Sequence, residues 1–235
     1  MKLVVVPTPI GNMEDITLRA LRVLREADFL LCEDTRTTKN LLRHYEIEKP
    51  CYPYHIHNEH RQLDNIIAQI RQAGMVALTS DAGTPCISDP GYLLVRECVR
   101  QGIEVECLPG ATALVPALVN SALPASSFKF YGFLPHKKGK ETCLKTMSAA
   151  DETAIFYESP YRLLKTLQMM VPIFGNDRKI CVARELTKIH EENFRGTIGE
   201  AITHFSSQTV KGEIVVVVGA SDESDPPAEL PEDDE

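Results

Sequence analysis

The chain contains 235 residues, of which 43% are hydrophobic, and its formal net charge is −8 at pH 7. This length suits one large α/β domain or two domains of about 115 residues each. No apolar run approaches the roughly 20 residues that a membrane helix requires, and residues 3–7 are too short an apolar run for a secretory signal. We therefore expect a soluble protein without a membrane partner.

The seven cysteines are odd in number and show neither a CxxC pair nor metal-type spacing with histidine. This usage predicts reduced thiols in a cytoplasmic protein. His55, His57 and His60 lie close together in the sequence, but a turn of solvated histidines is a simpler interpretation than metal ligation. We expect no bound metal.

Acidic residues are concentrated at the end of the chain. Residues 222–235 contain eight Asp and Glu and no Lys or Arg, whereas residues 1–221 contain 25 residues of each sign. Because it repels itself and has almost no apolar side chains, we expect the segment 221–235 to be a disordered, solubilising tail. The rest of the chain is formally neutral, so the net charge alone does not exclude a nucleic-acid partner.

Short strands and helices alternate along the first half of the chain, which is the pattern of an α/β fold. Apolar runs predict strands at 3–6, 29–32, 51–55, 75–78 and 103–108, the third of which is weak because it contains a proline. Apolar periodicity predicts helices at 18–24, 37–42, 63–70, 92–99 and 111–118. Asp15 or Thr17 can cap the first helix, and Ser88 or Asp89 the fourth.

Residues 123–127, Leu-Pro-Ala-Ser-Ser, interrupt this alternation and predict a linker. The expected organisation is an N-terminal α/β domain at 1–122, a C-terminal α/β domain at 128–220 and the acidic tail. In the second domain, strands are predicted at 128–133, 153–157, 179–183 and 212–218, and helices at 163–170 and 198–205.

Four loops that follow predicted strands have the composition of ligand-binding turns. Residues 79–85, Thr-Ser-Asp-Ala-Gly-Thr-Pro, combine a tight turn with the carboxylate of Asp81, and the other three loops lie at 8–12, 33–36 and 109–112. Ligands of open α/β sheets bind at the carboxyl ends of the strands. Neither GxGxxG nor GxxxxGK[ST] occurs, so the loops suit an adenosine and an amino-acid moiety better than a pyrophosphate.

Candidate acid–base residues follow strands in both predicted domains: Glu33, Asp34, Arg36, Arg184, Glu185 and Lys188. Two carboxylates and a guanidinium in the first set could position a hydroxyl group and its general base. Ordinary solvated ion pairs are the alternative for either set. A basic loop with Lys137, Lys138 and Lys140, together with Arg162, either contacts phosphates or is simply exposed.

Eight ordered motifs resemble one known family. They are the segments at 8–12 with 14–17, 33–36, 80–85, 88–91, 109–111, 132–135, 157–160 and 184–188. In this order they are similar to the ribosomal RNA small-subunit methyltransferase I family of the tetrapyrrole methylase-like superfamily. The resemblance covers residues 3 to about 218, nearly all of the predicted folded body.

The resemblance implies two α/β domains of the class III methyltransferase type, with S-adenosyl-L-methionine in the cleft between them, and a homodimer. It also implies methyl transfer to the ribose 2′-hydroxyl of a cytidine in small-subunit (16S) rRNA. The cofactor contacts that it implies are Pro9, Ile10, Asp81, Thr84, Thr112, Ala113, Tyr157 and Ala183. For the base that takes the hydroxyl proton, our hypothesis is Glu33, Asp34 and Arg36.

Two departures from the family pattern affect these expectations. Cys86 stands where the family loop usually has glycine, so we expect this position not to depend on a conformation open only to glycine. The chain also ends in an acidic tail at a point where longer family members carry a further small domain, and the neutral body and acidic tail predict that the substrate is the assembled 30S subunit rather than naked RNA. Two alternatives stay open: a small-molecule methyltransferase acting on a tetrapyrrole, and a non-catalytic module that binds S-adenosylmethionine.

Overall fold

The computed structural model describes residues 1–56, 58–136 and 138–221. Contacts within the chain divide it into two compact units, Met1–Ala113 and the part from Leu114 onward. His57, Lys137 and the predicted tail beyond residue 221 lie outside the described residues.

The first unit is a five-stranded parallel sheet with connecting helices. Its elements are β1 (Lys2–Val5), α1 (Leu18–Glu26), β2 (Phe29–Cys32), α2 (Thr35–His44), β3 (Cys51–Pro53), α3 (Glu59–Gln72), β4 (Met75–Thr79), α4 (Tyr92–Arg100) and β5 (Glu104–Cys107). The strand order is β3-β2-β4-β1-β5 and all pairings are parallel. β3 contains Pro53 and lies at an edge, where a missing N–H donor is tolerated.

Apolar side chains cover both faces of this sheet, as a parallel sheet requires. Alternate residues of a strand point to opposite faces, and Leu3 and Val5 accordingly pack with α3 and α4 whereas Val4 and Val6 pack with α1 and α2. The helices that follow β1 and β2 therefore lie on one face, and those that follow β3 and β4 on the other. β4 lies between β2 and β1. The chain therefore leaves β4 toward one face of the sheet and leaves β1 and β2 toward the other. A crevice at such a position is where ligands of these sheets bind.

The second unit contains a mixed sheet. Its elements are α5 (Leu114–Ser121), β6 (Phe128–Phe133), α6 (Lys140–Ser148), β7 (Thr153–Glu158), α7 (Leu163–Phe174), β8 (Lys179–Arg184), β9 (Glu192–Thr197), α8 (Ile198–Ser206) and β10 (Ile214–Val218). The strand order is β6-β7-β10-β8-β9. β6 and β7 are parallel, and β10 runs antiparallel to both β7 and β8. The carboxyl ends of β6, β7 and β8 therefore lie at one edge of the sheet.

The predicted α/β architecture with two sheets is confirmed, but several local expectations differ from the structure. The helix predicted at 111–118 begins at Leu114 and belongs to the second unit, so the observed division lies before it, whereas the predicted linker at 123–127 follows it. α4 is capped by Gly91 and not by Ser88 or Asp89. α6 and β9 were not predicted, because neither has a strong apolar period in the sequence.

Candidate active site

The loops after β2 and β4 are joined by two reciprocal hydrogen bonds. The backbone N–H of Asp34 donates to Asp81 Oδ1 at 3.1 Å, and the backbone N–H of Asp81 donates to Glu33 Oε2 at 3.3 Å. These bonds bring the neighbouring residues Glu33 and Asp34 close to Asp81, which lies nearly 50 residues later in the sequence. The loops predicted from the sequence to bind a ligand and to supply a base thus form one cluster.

The pKa values of these three carboxyl groups differ. Burial raises the pKa of Glu33 above its usual value and also that of Asp81. Hydrogen bonds from the Arg36 side chain and backbone instead lower the pKa of Asp34 to about 2. A carboxylate with a higher pKa is the stronger base. Glu33 is therefore better suited than Asp34 to accept a proton.

Asp34 has a structural task at the start of α2. Its carboxylate accepts a hydrogen bond from the Arg36 backbone N–H at 2.8 Å, as an N-cap residue does. The Arg36 guanidinium also donates to this carboxylate, with its closest contact at 2.6 Å, although 89% of the Arg36 side chain is exposed. The helix predicted to open at residue 37 begins at Thr35 instead. A role of Asp34 and Arg36 in taking the hydroxyl proton stays a prediction.

The loops after β1, β4 and β5 are also tied together. Thr8 and Gly83 form a short antiparallel bridge, with both N–H···O distances at 2.9 Å. The Thr84 hydroxyl donates to the carbonyl oxygen of Ala111 at 3.0 Å. A methyl group on Gly83, at φ +80°, would lie 3.4 Å from Ile10 Cγ2 and 4.0 Å from Thr112 Cα.

Six of the eight residues predicted to bind the cofactor lie in these three loops of the first unit, and their contact with the cofactor stays a prediction. They are Pro9, Ile10, Asp81, Thr84, Thr112 and Ala113. Their loops, at the carboxyl ends of β1, β4 and β5, are held together by the Thr8–Gly83 backbone bridge and by the Thr84 hydroxyl. These six residues include the carboxylate of Asp81 and no Lys or Arg, so they suit a nucleoside and an amino-acid moiety better than a phosphate.

Cys86 adopts a backbone conformation that favours glycine. Its φ is +72°, in the left-handed region. Glycine adopts this conformation with less strain, but it is not open only to glycine, because cysteine occupies it here. Gly91 packs closely against Cys86, because a methyl group on Gly91 would come within 2.7 Å of Cys86 Sγ. The two residues together turn the chain from the β4 loop into α4.

In the second unit, the two remaining predicted cofactor residues lie on β7 and β8, on either side of β10, where both pair with Val215. Tyr157 is half-buried near the end of β7, and its ring packs edge-on against Phe130 and Phe133 with centroids 4.9 and 5.5 Å apart. Ala183 is fully buried in β8, paired with Val215 of β10 and with a residue of β9. The Ala183 side chain therefore offers no exposed surface.

The predicted set Arg184, Glu185 and Lys188 forms internal ion pairs. Arg184 Nε donates to Glu192 at 2.9 Å, and Lys188 Nζ donates to Glu185 at 2.8 Å and to Glu213 at 3.0 Å. Burial lowers the pKa of Lys188, but the hydrogen bonds to these two carboxylates outweigh it and raise the pKa. A lysine held in its cationic form is not a base, so these contacts favour a positioning role for the loop.

Sequence reasoning missed a buried ionic cluster beneath the same sheet edge. The Glu158 side chain is fully buried and accepts hydrogen bonds from Lys140 Nζ at 2.9 Å and Thr166 Oγ1 at 2.6 Å. Arg162 contacts its other oxygen at 2.7 Å. Only 7% of the Lys140 side chain is exposed, so the interpretation of Lys140 as part of an exposed basic loop is wrong. The sequence carries no local signal for this pairing, because the partners lie on different elements.

Two searches of the described residues concern other kinds of site. Among residues 1–56, 58–136 and 138–221, no group of three or more His, Cys, Asp and Glu side chains could hold a metal ion. None of the helices in that part of the chain is long and apolar enough to cross a membrane.

Comparison with known proteins adds independent information. The sequence pattern of the tetrapyrrole (corrin/porphyrin) methylases matches residues 2–202. Ribosomal RNA small subunit methyltransferase I of Thermotoga maritima is 48% identical over 221 residues, which are 94% of this chain and 99% of that protein. The protein of the same name from Halalkalibacterium halodurans is 46% identical over 229 residues, 97% of this chain and 79% of the relative.

Solved structures resemble the fold. Uroporphyrin-III C-methyltransferase from Thermus thermophilus, solved in complex with S-adenosyl homocysteine, has a TM-score of 0.64 and 18% sequence identity. The match covers 93% of this chain and 97% of that one. At this identity the likeness concerns the fold.

Proposed function

Because the chain belongs to the ribosomal RNA small subunit methyltransferase I family of the tetrapyrrole methylases, we propose that it methylates small-subunit rRNA with S-adenosyl-L-methionine as the methyl donor. The observation that carries this proposal is the 48% identity to the Thermotoga maritima protein over 99% of that protein's length. The acceptor that we propose is the ribose 2′-hydroxyl of a cytidine. The linked carboxylates at the ends of β2 and β4 support it, because a hydroxyl acceptor needs a base.

The donor supplies a methyl group on a sulfonium centre, so attack by the ribose oxygen forms a C–O bond while the C–S bond breaks and its electron pair stays on sulfur. The hydroxyl proton must leave the oxygen, and Glu33 is the group that we assign to accept it before release to water. In-line positioning of donor and acceptor supplies much of the remaining acceleration. Asp34 and Arg36 fix the start of α2 and thereby the position of Glu33.

The pKa of Glu33 predicts the pH dependence of the reaction. The base must be ionised to accept a proton, so kcat/KM should fall as the pH drops through the pKa of Glu33. Because burial raises this pKa, the loss should begin at a higher pH than for an ordinary glutamate. This acidic limb should be absent from the residual activity of Glu33→Gln.

The remaining features of the proposal concern partners and surroundings. Residues 1–221 contain equal numbers of acidic and basic residues, which favours the assembled 30S subunit over naked RNA as substrate. We also propose a homodimer and a cytoplasmic location. Direct cofactor contacts from Tyr157 and Ala183 stay predictions, and for the buried Ala183 only a change of local packing would expose the side chain.

The test uses purified protein, radiolabelled S-adenosylmethionine and small subunits from cells that lack this gene. Mapping should find the label on a single 2′-O-methylcytidine. Glu33→Gln should lower kcat by about 10²–10⁴-fold with unchanged cofactor affinity, which is the usual contribution of a general base. Asp34→Asn is the matched control and should remain near wild type, because asparagine also caps helices well. Wild-type rates for Glu33→Gln would remove Glu33 from the mechanism.

A further inference from the structure

One helix of the first unit has an unusual charge distribution. The sequence of α2, TRTTKNLLRH, contains two arginines, a lysine and a histidine and no acidic residue, in a chain of net charge −8. Arg36, Lys39 and Arg43 are all exposed. Side chains separated by three or four positions lie on one face of a helix, so these three cations form a single row, here called the α2 stripe.

The α2 stripe begins beside the assigned base. Asp34, the N-cap of α2, directly follows Glu33 in the chain, and the stripe extends from Arg36 to Arg43 along the helix axis. Seven residues of α-helix span about 10 Å. The opposite face of α2 packs into the unit through Thr38, Leu41 and Leu42. The stripe is therefore fixed in position relative to the catalytic cluster.

Two cations of the stripe have no carboxylate partner. In the described part of the chain, the ion pairs of α2 are confined to Arg36 with Asp34, and Arg43 donates to the amide oxygen of Asn40. Two exposed arginines on other helices of the unit do have a carboxylate partner, Arg22 with Glu26 and Arg100 with Glu97. Within the described residues, Lys39 and Arg43 are thus available to pair with an external anion.

Carboxylates near the end of α2 limit the length of the α2 stripe. An open groove at this end of the helix is lined by Lys39, Arg43 and Lys49 together with the carboxylates of Glu46 and Glu48. Carboxylates repel phosphates, so the attractive surface ends near the last turn of α2.

We propose that the α2 stripe holds the phosphate backbone of the rRNA strand that carries the target ribose. This inference rests on the proposed function and adds to it the surface that grips the substrate. Lys and Arg neutralise backbone phosphates without reading sequence, and they fix the register of the strand on the protein. A row that leads away from Glu33 would thereby hold the nucleotides next to the reacting ribose.

The salt dependence of the reaction tests the inference. For single-stranded nucleic acid, each neutralised phosphate contributes about 0.7 to the slope of log K against log salt concentration. The double variant Lys39→Gln/Arg43→Gln should reduce the slope of log kcat/KM for small subunits by about 1.4, at constant Mg²⁺. Between 50 and 200 mM salt, wild type should therefore lose about sevenfold more kcat/KM than this variant.

A charge-matched control lies on the other face of the same sheet. Arg96 and Arg100 are exposed on α4 with the same spacing of four residues. Arg96→Gln/Arg100→Gln should keep the wild-type slope. Cofactor affinity and kcat at saturating subunits should be unchanged in both double variants, because none of these four residues belongs to the carboxylate cluster.

The outcomes separate the inference from the function on which it rests. Normal methylation with identical slopes in wild type and Lys39→Gln/Arg43→Gln would overturn the α2 stripe alone, and Arg43 in the last turn would then serve only the helix dipole. An equal reduction of the salt-dependence slope in the α4 control would also overturn the inference, since the reduction would then reflect the change in net charge. Absence of methylation by wild type would overturn the proposed function and the inference with it.

Discussion

The buried pair Lys140–Glu158 gives a stability prediction whose size follows from its geometry. At their separation of 2.9 Å, two unit charges attract by about 6 kcal/mol at an effective dielectric constant of about 20. Desolvation costs several kcal/mol for each ion, so the pair as a whole contributes little. Removal of one partner is different, because the other charge stays buried and loses its compensation. Glu158→Gln should therefore lower the free energy of unfolding by about 3–5 kcal/mol.

The reverse variant should cost less. In Lys140→Met the carboxylate of Glu158 still accepts hydrogen bonds from Arg162 at 2.7 Å and from the Ser159 backbone N–H at 2.8 Å. The expected loss is about 1–3 kcal/mol, the range for hydrogen bonds to a charged group. The double variant should lose less than the sum of the two single changes, because the residues contact each other.

Chemical denaturation followed by circular dichroism measures these changes, and the same helix supplies a control. Glu141 and Lys145 form an ion pair at 2.7 Å on α6, with 65% and 63% of their side chains exposed. Glu141→Gln should change stability by no more than about 0.5 kcal/mol, as is usual for exposed pairs. If Glu158→Gln costs no more than Glu141→Gln, the argument that burial makes the difference is refuted.

The same pair predicts a pH dependence with a definite sign. Burial by itself would raise the pKa of Glu158, but hydrogen bonds from Thr166, Lys140 and Ser159 outweigh it and lower the pKa. A carboxyl group with a lowered pKa stabilises the fold above its unfolded pKa, and this contribution is lost as the pH falls through the folded pKa. The stability difference between wild type and Glu158→Gln should therefore be full at pH 7 and shrink below about pH 4.3.

Substitutions at three positions, with a control at a fourth, test local features of the first unit. Asp34→Ala should lower the free energy of unfolding by about 1 kcal/mol through loss of the helix cap, whereas Asp34→Asn should not; equal thermal shifts for the two would contradict the capping role. Cys86→Gly should have a free energy of unfolding about 1 kcal/mol higher than that of Cys86→Ala, because only glycine adopts this φ without strain. A higher stability of Cys86→Ala would contradict that reasoning. Gly110→Ala should cost about 1–3 kcal/mol by overpacking and weaken cofactor binding, since its methyl group would approach Pro7 to 2.6 Å. Gly74→Ala is the control, because the atom nearest to its methyl group would be 3.4 Å away. Equal cofactor affinities of the two alanine variants, measured by calorimetry, would exclude a role of Gly110 at the site.

Local sequence pattern predicted most strands and helices because it records which residues face a core. Short β-branched runs and 3.6-residue apolar periods placed β1, β2 and α1 within a residue or two of their observed limits. The pattern did not predict elements that tertiary contacts stabilise. β9, with the sequence ENFRGT, is held by its pairing with β8 rather than by its own propensity.

The sequence by itself determined the α/β class, the positions of the loops at strand ends and, through its motifs, the family. Loop residues and apolar periods are local properties, so a single chain reveals them. Only the tertiary structure decided which loops meet, because strand order determines which distant segments become neighbours. It joined Glu33 to Asp81, made Asp34 a helix cap and buried Lys140 against Glu158. Hydrogen bonds and burial in that arrangement separated the pKa values of carboxyl groups that look alike in the sequence.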